Sequence, residues 1–208
     1  LIAWSIEQAK KSKYNMKIIV STDSFEYAEI SKKYGAEVPF IRPKEISQDL
    51  STDYEFINHA LEYLNFNENY IPDLILQLRP TQPCRKVSDI DKCLEIFISK
   101  INEYDSLRTV ILFEKSPFKM YTISNNKLNP LFNEINNINE PFNQCRQLLP
   151  QVYLHNGYID ILKPENIKHN SISGNNIYPY IMNKKDTIDI DTIDDWKKAE
   201  SNIFLKKL

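Results

Sequence analysis

Glycine is rare in this sequence, since only three of the 208 residues are glycine. A G-x-G-x-x-G dinucleotide fingerprint or a Walker phosphate loop therefore cannot be built from this chain. Cysteine is equally rare: Cys84, Cys93 and Cys145 are odd in number and form no C-x-x-C pair. We therefore expect reduced, structural thiols in a cytoplasmic protein.

Long apolar runs and a strong charge of one sign are also missing. No apolar run approaches the length of a transmembrane helix, and the N-terminus lacks a basic segment followed by a cleavable apolar region. The formal net charge is −2. This balance gives no electrostatic reason to expect nucleic acid or an anionic membrane as a partner.

The apolar and charged fractions, 42% and 26%, are typical of one globular domain with a sizeable core. Helical and strand patterns alternate along its first half, which predicts an α/β domain with a mostly parallel sheet. Two helices are predicted at 1–12 and 24–34, a third begins after a Ser51 cap, and a fourth begins at a Ser88–Asp91 capping box. The predicted strands are 16–23, 73–78 and 107–113.

The second half of the chain is less regular. Residues 114–150 are rich in Asn and Pro, which predicts loops, a short hairpin and an arm. Strand character returns in QVYLHNGYIDIL, residues 151–162, and in TIDID, residues 187–191. Thr192, with Asp195 three residues later, predicts a capped closing helix.

The segment TIDID is the first candidate site. Alternation along a strand places Asp189 and Asp191 on one face, where two carboxylates suit Mg²⁺ shared with substrate phosphates. The alternative is a solvated strand face beside a helix cap, because D-x-D is a short and common pattern.

The loop RPTQPCR follows a predicted buried strand. Two prolines stiffen it, so Arg79, Thr81, Gln82 and Arg85 could reach an anionic ligand from the carboxyl edge of the sheet. A proline-stiffened turn with solubilising arginines is the equal alternative.

The Asn156–Gly157 pair lies inside a strand-like run. It indicates either a tight turn or a place where a ligand or another backbone approaches closely. The three histidines, His59, His155 and His169, lack partners at metal-ligand spacing and are interpreted as structural or surface residues.

Six segments occur in order: IIVSTDS, IRPKEISQDLST, LQLRPTQPCR, SPFK, RQLLPQVYLHNGYIDI and IDIDTIDDWKKAE. Together they resemble the acylneuraminate (CMP-sialic acid, or CMP-nonulosonate) cytidylyltransferase family along almost the whole chain. The resemblance implies a Rossmann-like, three-layer nucleotidyltransferase fold. It also implies the reaction of CTP with a nine-carbon sugar acid to give a CMP-sugar and pyrophosphate, with Mg²⁺.

The resemblance assigns roles to particular positions. Asp189 and Asp191 match the metal-binding aspartates and are the catalytic candidates. The substrate-binding candidates are Arg42 and Ser51 near the cytosine and ribose, Arg79 and Thr81 on the shelf under sugar and nucleotide, Lys119 and Arg146 near the sugar, and Asn156 of the N-G motif.

The resemblance also implies assembly and extent. It predicts a homodimer formed through an arm at about residues 114–165, within a single domain covering 1–208. The family's basic triphosphate-gripping loop has no counterpart in this chain, so we expect an N-terminally truncated sequence.

Departures from the family pattern fall mainly on the sugar side. Arg79 stands where Gln is usual, Gln82 where Ser is usual, and Asp160 where Tyr is usual. They favour a differently substituted nonulosonate, legionaminate-like or otherwise, and octulosonate is an alternative substrate. The alternative functions are a D-x-D metal-dependent glycosyltransferase and a non-catalytic nucleotide-binding homologue.

Overall fold

A computed structural model describes residues 1–205, and it holds a four-stranded central sheet. The strand order is β1 (Ile75–Gln77), β7 (Tyr153–Leu162), β2 (Ser106–Leu112) and β8 (Ile177–Met182). β7 runs antiparallel to both of its neighbours, whereas β2 and β8 are parallel. Three of these four strands therefore share one direction, which confirms the expected mostly parallel sheet.

Helices cover both faces of this sheet. The helices are α1 (Ile2–Lys10), α2 (Phe25–Lys33), α3 (Asp53–Glu68), α4 (Val87–Ser99), α5 (Pro164–Lys168) and α6 (Ile193–Leu205). On one face, α4 packs Ile90, Cys93 and Phe97 against Leu107 and Ile161 of the sheet. On the other face, α3 and α5 form a smaller cluster around Leu162. This layering confirms the three-layer α/β class.

Residues 114–150 form short hairpins and turns, as the composition predicts. β3 (Tyr121–Ser124) pairs with β4 (Lys127–Pro130), and β5 (Glu134–Ile135) pairs with β6 (Ile138–Asn139). Single 3-10 turns lie at Lys44–Ile46, Pro117–Lys119, Pro141–Asn143, Arg146–Leu148 and Lys184–Asp186.

Two predicted strands are wrong. The run 16–23 makes only one bridge, between Ile19 and Glu37. The segment opposite it carries Pro39, which has no N–H to extend the ladder. In TIDID, no ladder forms within residues 1–205. Instead a single bond runs from Ile190 N to Thr81 O at 3.0 Å. The apolar and acidic residues of TIDID alternate because one side of the segment packs against the loop after β1. Ile188 and Ile190 are half-buried, and Asp189 and Asp191 are exposed.

One strand, β8, is not among the strands that the sequence predicts, and it carries Pro179 in its middle. The structure places β8 at the edge of the sheet, where a missing N–H costs no ladder bond on the open side.

Among the helices described, none has the length and apolarity needed to cross a bilayer.

The predicted helix caps have mixed outcomes. Thr192 and Asp195 form the expected reciprocal cap, with Asp195 N donating to Thr192 Oγ1 at 3.2 Å. α3 is capped by Thr52 rather than Ser51, because Thr52 is the residue that exchanges bonds with Glu55. α4 already begins at Val87, so Ser88 lies inside it and makes no cap.

Candidate functional site

The loops that carry the predicted site residues meet at one edge of the sheet. β1, β2 and β8 all end at this edge, and antiparallel β7 begins there. In α/β proteins this carboxyl edge is where ligands bind. The residues brought to it by these connections are Arg79 and Thr81 after β1, Lys119 after β2, Arg146 before β7, and Asp189 and Asp191 after β8.

Arg79 is held between two carboxylates. Its Nη1 donates to Asp160 Oδ2 at 2.5 Å, and its Nη2 donates to Asp53 at the first turn of α3. Burial acts to lower the pKa of Arg79, but the two carboxylates outweigh it and the pKa is raised. Arg79 therefore ties the loop after β1 to β7 and to α3.

Asp160 is the centre of this network and is only 4% exposed. Its second oxygen, Oδ1, lies 2.7 Å from His155 Nε2. Burial acts to raise the pKa of Asp160, but hydrogen bonds and charge from His155 and Arg79 prevail and lower it. Asp160 is therefore ionised at neutral pH, and its bond to His155 agrees with the interpretation of His155 as a structural residue.

Gly157 makes room for Arg79. It has φ +62° within β7, and a Cβ placed on it would lie 3.2 Å from Arg79 Cδ. The register of β2 against β7 also shifts here, between Arg108 and Val110. Of the two explanations offered by the sequence, close approach is the observed one, and the approaching group is a side chain.

Gln82 and Arg85 of the RPTQPCR loop are buried and hydrogen-bonded to the rest of the protein, so the expectation that they reach a ligand is wrong. Gln82 Nε2 donates to Asn156 O at 2.6 Å. Arg85 Nε donates to Tyr158 O at 2.6 Å, and its Nη1 donates to Gln8 Oε1 at 3.0 Å. Burial lowers the pKa of Arg85 to about 10. Both side chains fix the loop to β7 from beneath.

Asn156 is buried, and its amide is engaged within the protein. Its Oδ1 lies 2.7 Å from Thr109 Oγ1 and accepts from Tyr158 N at 3.2 Å. Its Nδ2 lies 3.7 Å from Met182 Sδ. The observed bonds of Asn156 thus stabilise the register shift between β2 and β7. Its predicted contact with substrate stays a prediction.

Asp189 and Asp191 are both exposed beside the loop after β1. The bond from Ile190 N to Thr81 O holds the stretch between them against that loop. Neither carboxylate has a hydrogen-bond or ion-pair partner within residues 1–205, where no group of three metal-ligating side chains occurs. Two uncompensated carboxylates fit Mg²⁺, which binds one or two of them and takes its other ligands from water and phosphate.

Arg42 and Ser51 flank the approach to α3. Arg42 Nε donates to Ser47 Oγ at 2.9 Å, and its guanidinium lies 5.7 Å from the centre of the Phe56 ring. Ser51 Oγ accepts from Gln48 N at 2.8 Å. Asp53 follows two residues later and binds Arg79, so this segment borders the same edge of the sheet.

Lys119 and Arg146 are exposed cations at that edge. Lys119 lies in the turn after β2 and Arg146 in the turn before β7. Neither side chain makes an ion pair with a residue that the structure describes. The structure shows no bond from either side chain to the Arg79 network within residues 1–205, and their predicted contact with the sugar stays a prediction.

Sequence reasoning missed Asp53, and it treated Asp160 and Arg79 as separate departures from a motif. The available signal was that Arg79 and Asp160 both depart from the family pattern. One adds a positive charge and the other a negative charge, in two segments that meet at the same edge of the sheet. Opposite charges introduced at neighbouring strand ends predict an ion pair. Asp53 carried no such signal, because any acidic residue suits the first turn of a helix.

Solved structures share this architecture. A CMP:2-keto-3-deoxy-manno-octonic acid synthetase complexed with CTP matches with a TM-score of 0.67 and 14% identity, over 100% of this chain and 88% of that one. A 4-diphosphocytidyl-2C-methyl-D-erythritol synthase from Anaerococcus prevotii matches with a TM-score of 0.59 and 11% identity, over 99% and 88%. The fold is therefore that of nucleotidyltransferases.

Sequence comparisons indicate which family within the nucleotidyltransferase fold this chain resembles. Residues 1–153 match the family model described as cytidylyltransferase. A Campylobacter coli protein named post-translational flagellin modification protein B is 32% identical over all of this chain and 86% of its own length. A CMP-N,N'-diacetyllegionaminic acid synthase of Campylobacter jejuni is 32% identical with the same coverage. An N-acylneuraminate cytidylyltransferase of Escherichia coli is 28% identical over 96% of this chain, which spans 45% of that protein.

The chain belongs to the cytidylyltransferase family, whose members are nucleotidyltransferase enzymes. This confirms the resemblance carried by the six ordered segments. It also decides against the glycosyltransferase interpretation of Asp189-Ile190-Asp191.

Proposed function

We propose that this chain transfers the cytidylyl group of CTP to a nonulosonic acid, giving a CMP-sugar and pyrophosphate. Relatives named for legionaminic acid and acylneuraminate substrates support this choice of sugar class. The observation that carries the proposal is the bond between Ile190 N and Thr81 O. It joins the two acidic residues to the shelf after β1, at the edge that also carries two exposed cations.

Asp189 and Asp191 are the residues that would hold Mg²⁺. When bound there, the ion would neutralise phosphate charge and lower the pKa of a hydroxyl in contact with it. Both carboxylates are exposed and have no cationic partner within residues 1–205, which supports this assignment.

The remaining candidates divide between the two substrates. Lys119 and Arg146 would orient the carboxylate of the sugar acid, because both are exposed cations at the site edge. Arg42 and Ser51 would border the cytosine and ribose, and Thr81 would form the shelf between nucleotide and sugar. Arg79 and Asn156 would define the sugar end of that shelf, as parts of the β1–β7 connection.

The reaction is an in-line displacement. The anomeric hydroxyl of the sugar acid attacks the α-phosphorus, the bond from that phosphorus to the bridging oxygen breaks, and pyrophosphate leaves. The hydroxyl proton passes to a carboxylate of Asp189 or Asp191. Alignment and charge neutralisation supply most of the acceleration, since little covalent work falls to the protein.

We also propose a homodimer formed through the arm at residues 114–165. The β3–β4 hairpin supports it, because Ile123 and Leu128 form a cross-strand pair and are 76% and 65% exposed. Burying such a pair against a second copy would remove apolar area from water. We place the enzyme in the cytoplasm, where CTP is available.

The test of the site is Asp191→Asn in the purified protein. We expect pyrophosphate release from CTP and sugar acid to fall by about 100-fold or more, because one preorganised charge at the reacting phosphate is lost. Asp194→Asn is the matched control, since Asp194 is an exposed neighbour in the first turn of α6. Equal activity of the two variants would refute the assignment of Asp191.

A further inference from the structure

His155 presents one unused ring nitrogen at the sugar end of the proposed site. Nε2 is committed to Asp160 at 2.7 Å, and an ionised carboxylate only accepts, so Nε2 carries a proton. Nδ1 has no hydrogen-bond partner among residues 1–205, and the side chain is 32% exposed. Nδ1 is therefore the ring nitrogen that remains for a ligand.

The strand positions beside His155 are partly open to solvent. Its cross-strand neighbour is Val110, which pairs on its other side with Ile181 of β8. Val110 lies two residues nearer the carboxyl end of β2 than Arg108, which pairs with Asp160. Ile181 is exposed and Val110 is half-buried, so the helices within residues 1–205 leave this row partly uncovered.

The charged groups beside His155 bind one another within the protein. The carboxylates of Asp53 and Asp160 both bind Arg79, and Asp160 also binds His155. Because these groups are already engaged, an uncharged hydrogen-bonding group suits the remaining ring nitrogen of His155. The sugar carboxylate is assigned instead to Lys119 and Arg146, which are exposed cations.

We propose that His155 determines sugar specificity, and that its Nδ1 accepts a hydrogen bond from a hydroxyl or amide N–H of the sugar acid. Asp160 and Arg79 are positioning residues in this scheme. Asp160 fixes the ring and its protonated nitrogen, and Arg79 fixes Asp160. The inference rests on the proposed cytidylyltransferase reaction. It gives a role to His155, to which the family resemblance assigns none.

Two substitutions separate recognition from packing. His155→Gln can keep a donor N–H near Asp160 but offers no acceptor where Nδ1 lies. His155→Asn keeps an acceptor near the Nδ1 position but is too short to reach Asp160. His169→Gln is the matched control, because His169 is exposed at the end of α5.

The experiment measures KM for CTP and for two sugar acids, N-acetylneuraminate and N,N'-diacetyllegionaminate, together with Tm. We expect His155→Gln to raise the KM of the accepted sugar acid about tenfold, the effect of one lost hydrogen bond, with KM for CTP and Tm unchanged. His155→Asn should lower Tm yet keep the sugar KM nearer that of the wild type.

Two results would overturn the inference. One is a wild-type sugar KM in His155→Gln, and the other is a rise in both KM values that follows the loss of Tm in each variant. Failure of the proposed function gives a different result, since the wild type would then release no pyrophosphate with any sugar acid. That result would remove the inference as well.

Discussion

Arg79 and Asp160 depend on each other, and this coupling can be measured. We expect Arg79→Gln to destabilise the protein, because Asp160 would keep its charge at 4% exposure with only His155 as partner. Asp160→Asn should cost less, because Arg79 retains Asp53 and the Asn oxygen can still accept from His155. In the double variant both members of this pair are neutral, so neither is left as an unpaired charge.

The magnitudes follow from burial. Breaking a fully buried ion pair costs about 3–5 kcal/mol. Arg79 is 26% exposed, so water can reach the site and the cost of Arg79→Gln should be about 2–3 kcal/mol. Asp160→Asn should cost about 1–2 kcal/mol. The double variant should cost about 2 kcal/mol, which leaves a coupling energy of about 1–3 kcal/mol.

The assay is denaturant unfolding of the wild type, both single variants and the double variant. Arg108→Gln provides the control, because Arg108 is opposite Asp160 across the strands yet makes no ion pair within the described residues. Its coupling to Asp160→Asn should be smaller than that of Arg79→Gln, because Arg108 makes no ion pair with Asp160. Additive effects of Arg79→Gln and Asp160→Asn would refute the account of the network.

The same pair predicts how stability depends on pH. Burial opposes the ionised form, but His155 and Arg79 hold the pKa of Asp160 below its ordinary value. The resulting stability is present above about pH 4, the unfolded value, and is lost as pH falls through the lower folded value. Asp160→Asn should therefore lose less stability than the wild type between about pH 4 and pH 2.

Two further predictions concern the backbone and the arm. Gly157→Ala should cost about 1–2 kcal/mol, because φ +62° disfavours a Cβ that would also press on Arg79, and unchanged unfolding would contradict the close approach. The double variant Ile123→Ser with Leu128→Ser should shift the protein from dimer to monomer in light scattering after gel filtration, because it removes the exposed apolar pair. Lys127→Ser in the same hairpin is the control, and a dimer that survives the double variant would exclude this hairpin as the contact.

The central elements of the fold were predictable because each was long and carried one clear signal. The helix 24–34 has a Ser cap and a closing Gly, and the run 107–113 is rich in apolar residues, so both were predicted close to their observed bounds. The runs 16–23 and 187–191 have the same local pattern but form no strand, because a ladder depends on distant partners. Pro39 and the loop after β1 decided those outcomes.

Candidate site residues were predictable as a set, but their contacts were not. The ordered segments indicated which loops carry chemistry, and the sheet topology brings those loops to one edge. The sequence did not distinguish half-buried Thr81 from buried Gln82 and Arg85, since a proline-rich loop has no periodicity. The partnership of Arg79 with Asp53 is likewise a tertiary fact, because 26 residues separate them.

The most direct test of the proposed function is pyrophosphate release by the wild-type protein. The reaction would contain CTP or UTP, with N-acetylneuraminate, N,N'-diacetyllegionaminate or 3-deoxy-manno-octulosonate, in the presence of Mg²⁺. We predict release with CTP and at least one nonulosonic acid, and little with UTP or the octulosonate. Release that ignores the sugar acid, or none with any nonulosonic acid, would contradict the proposal.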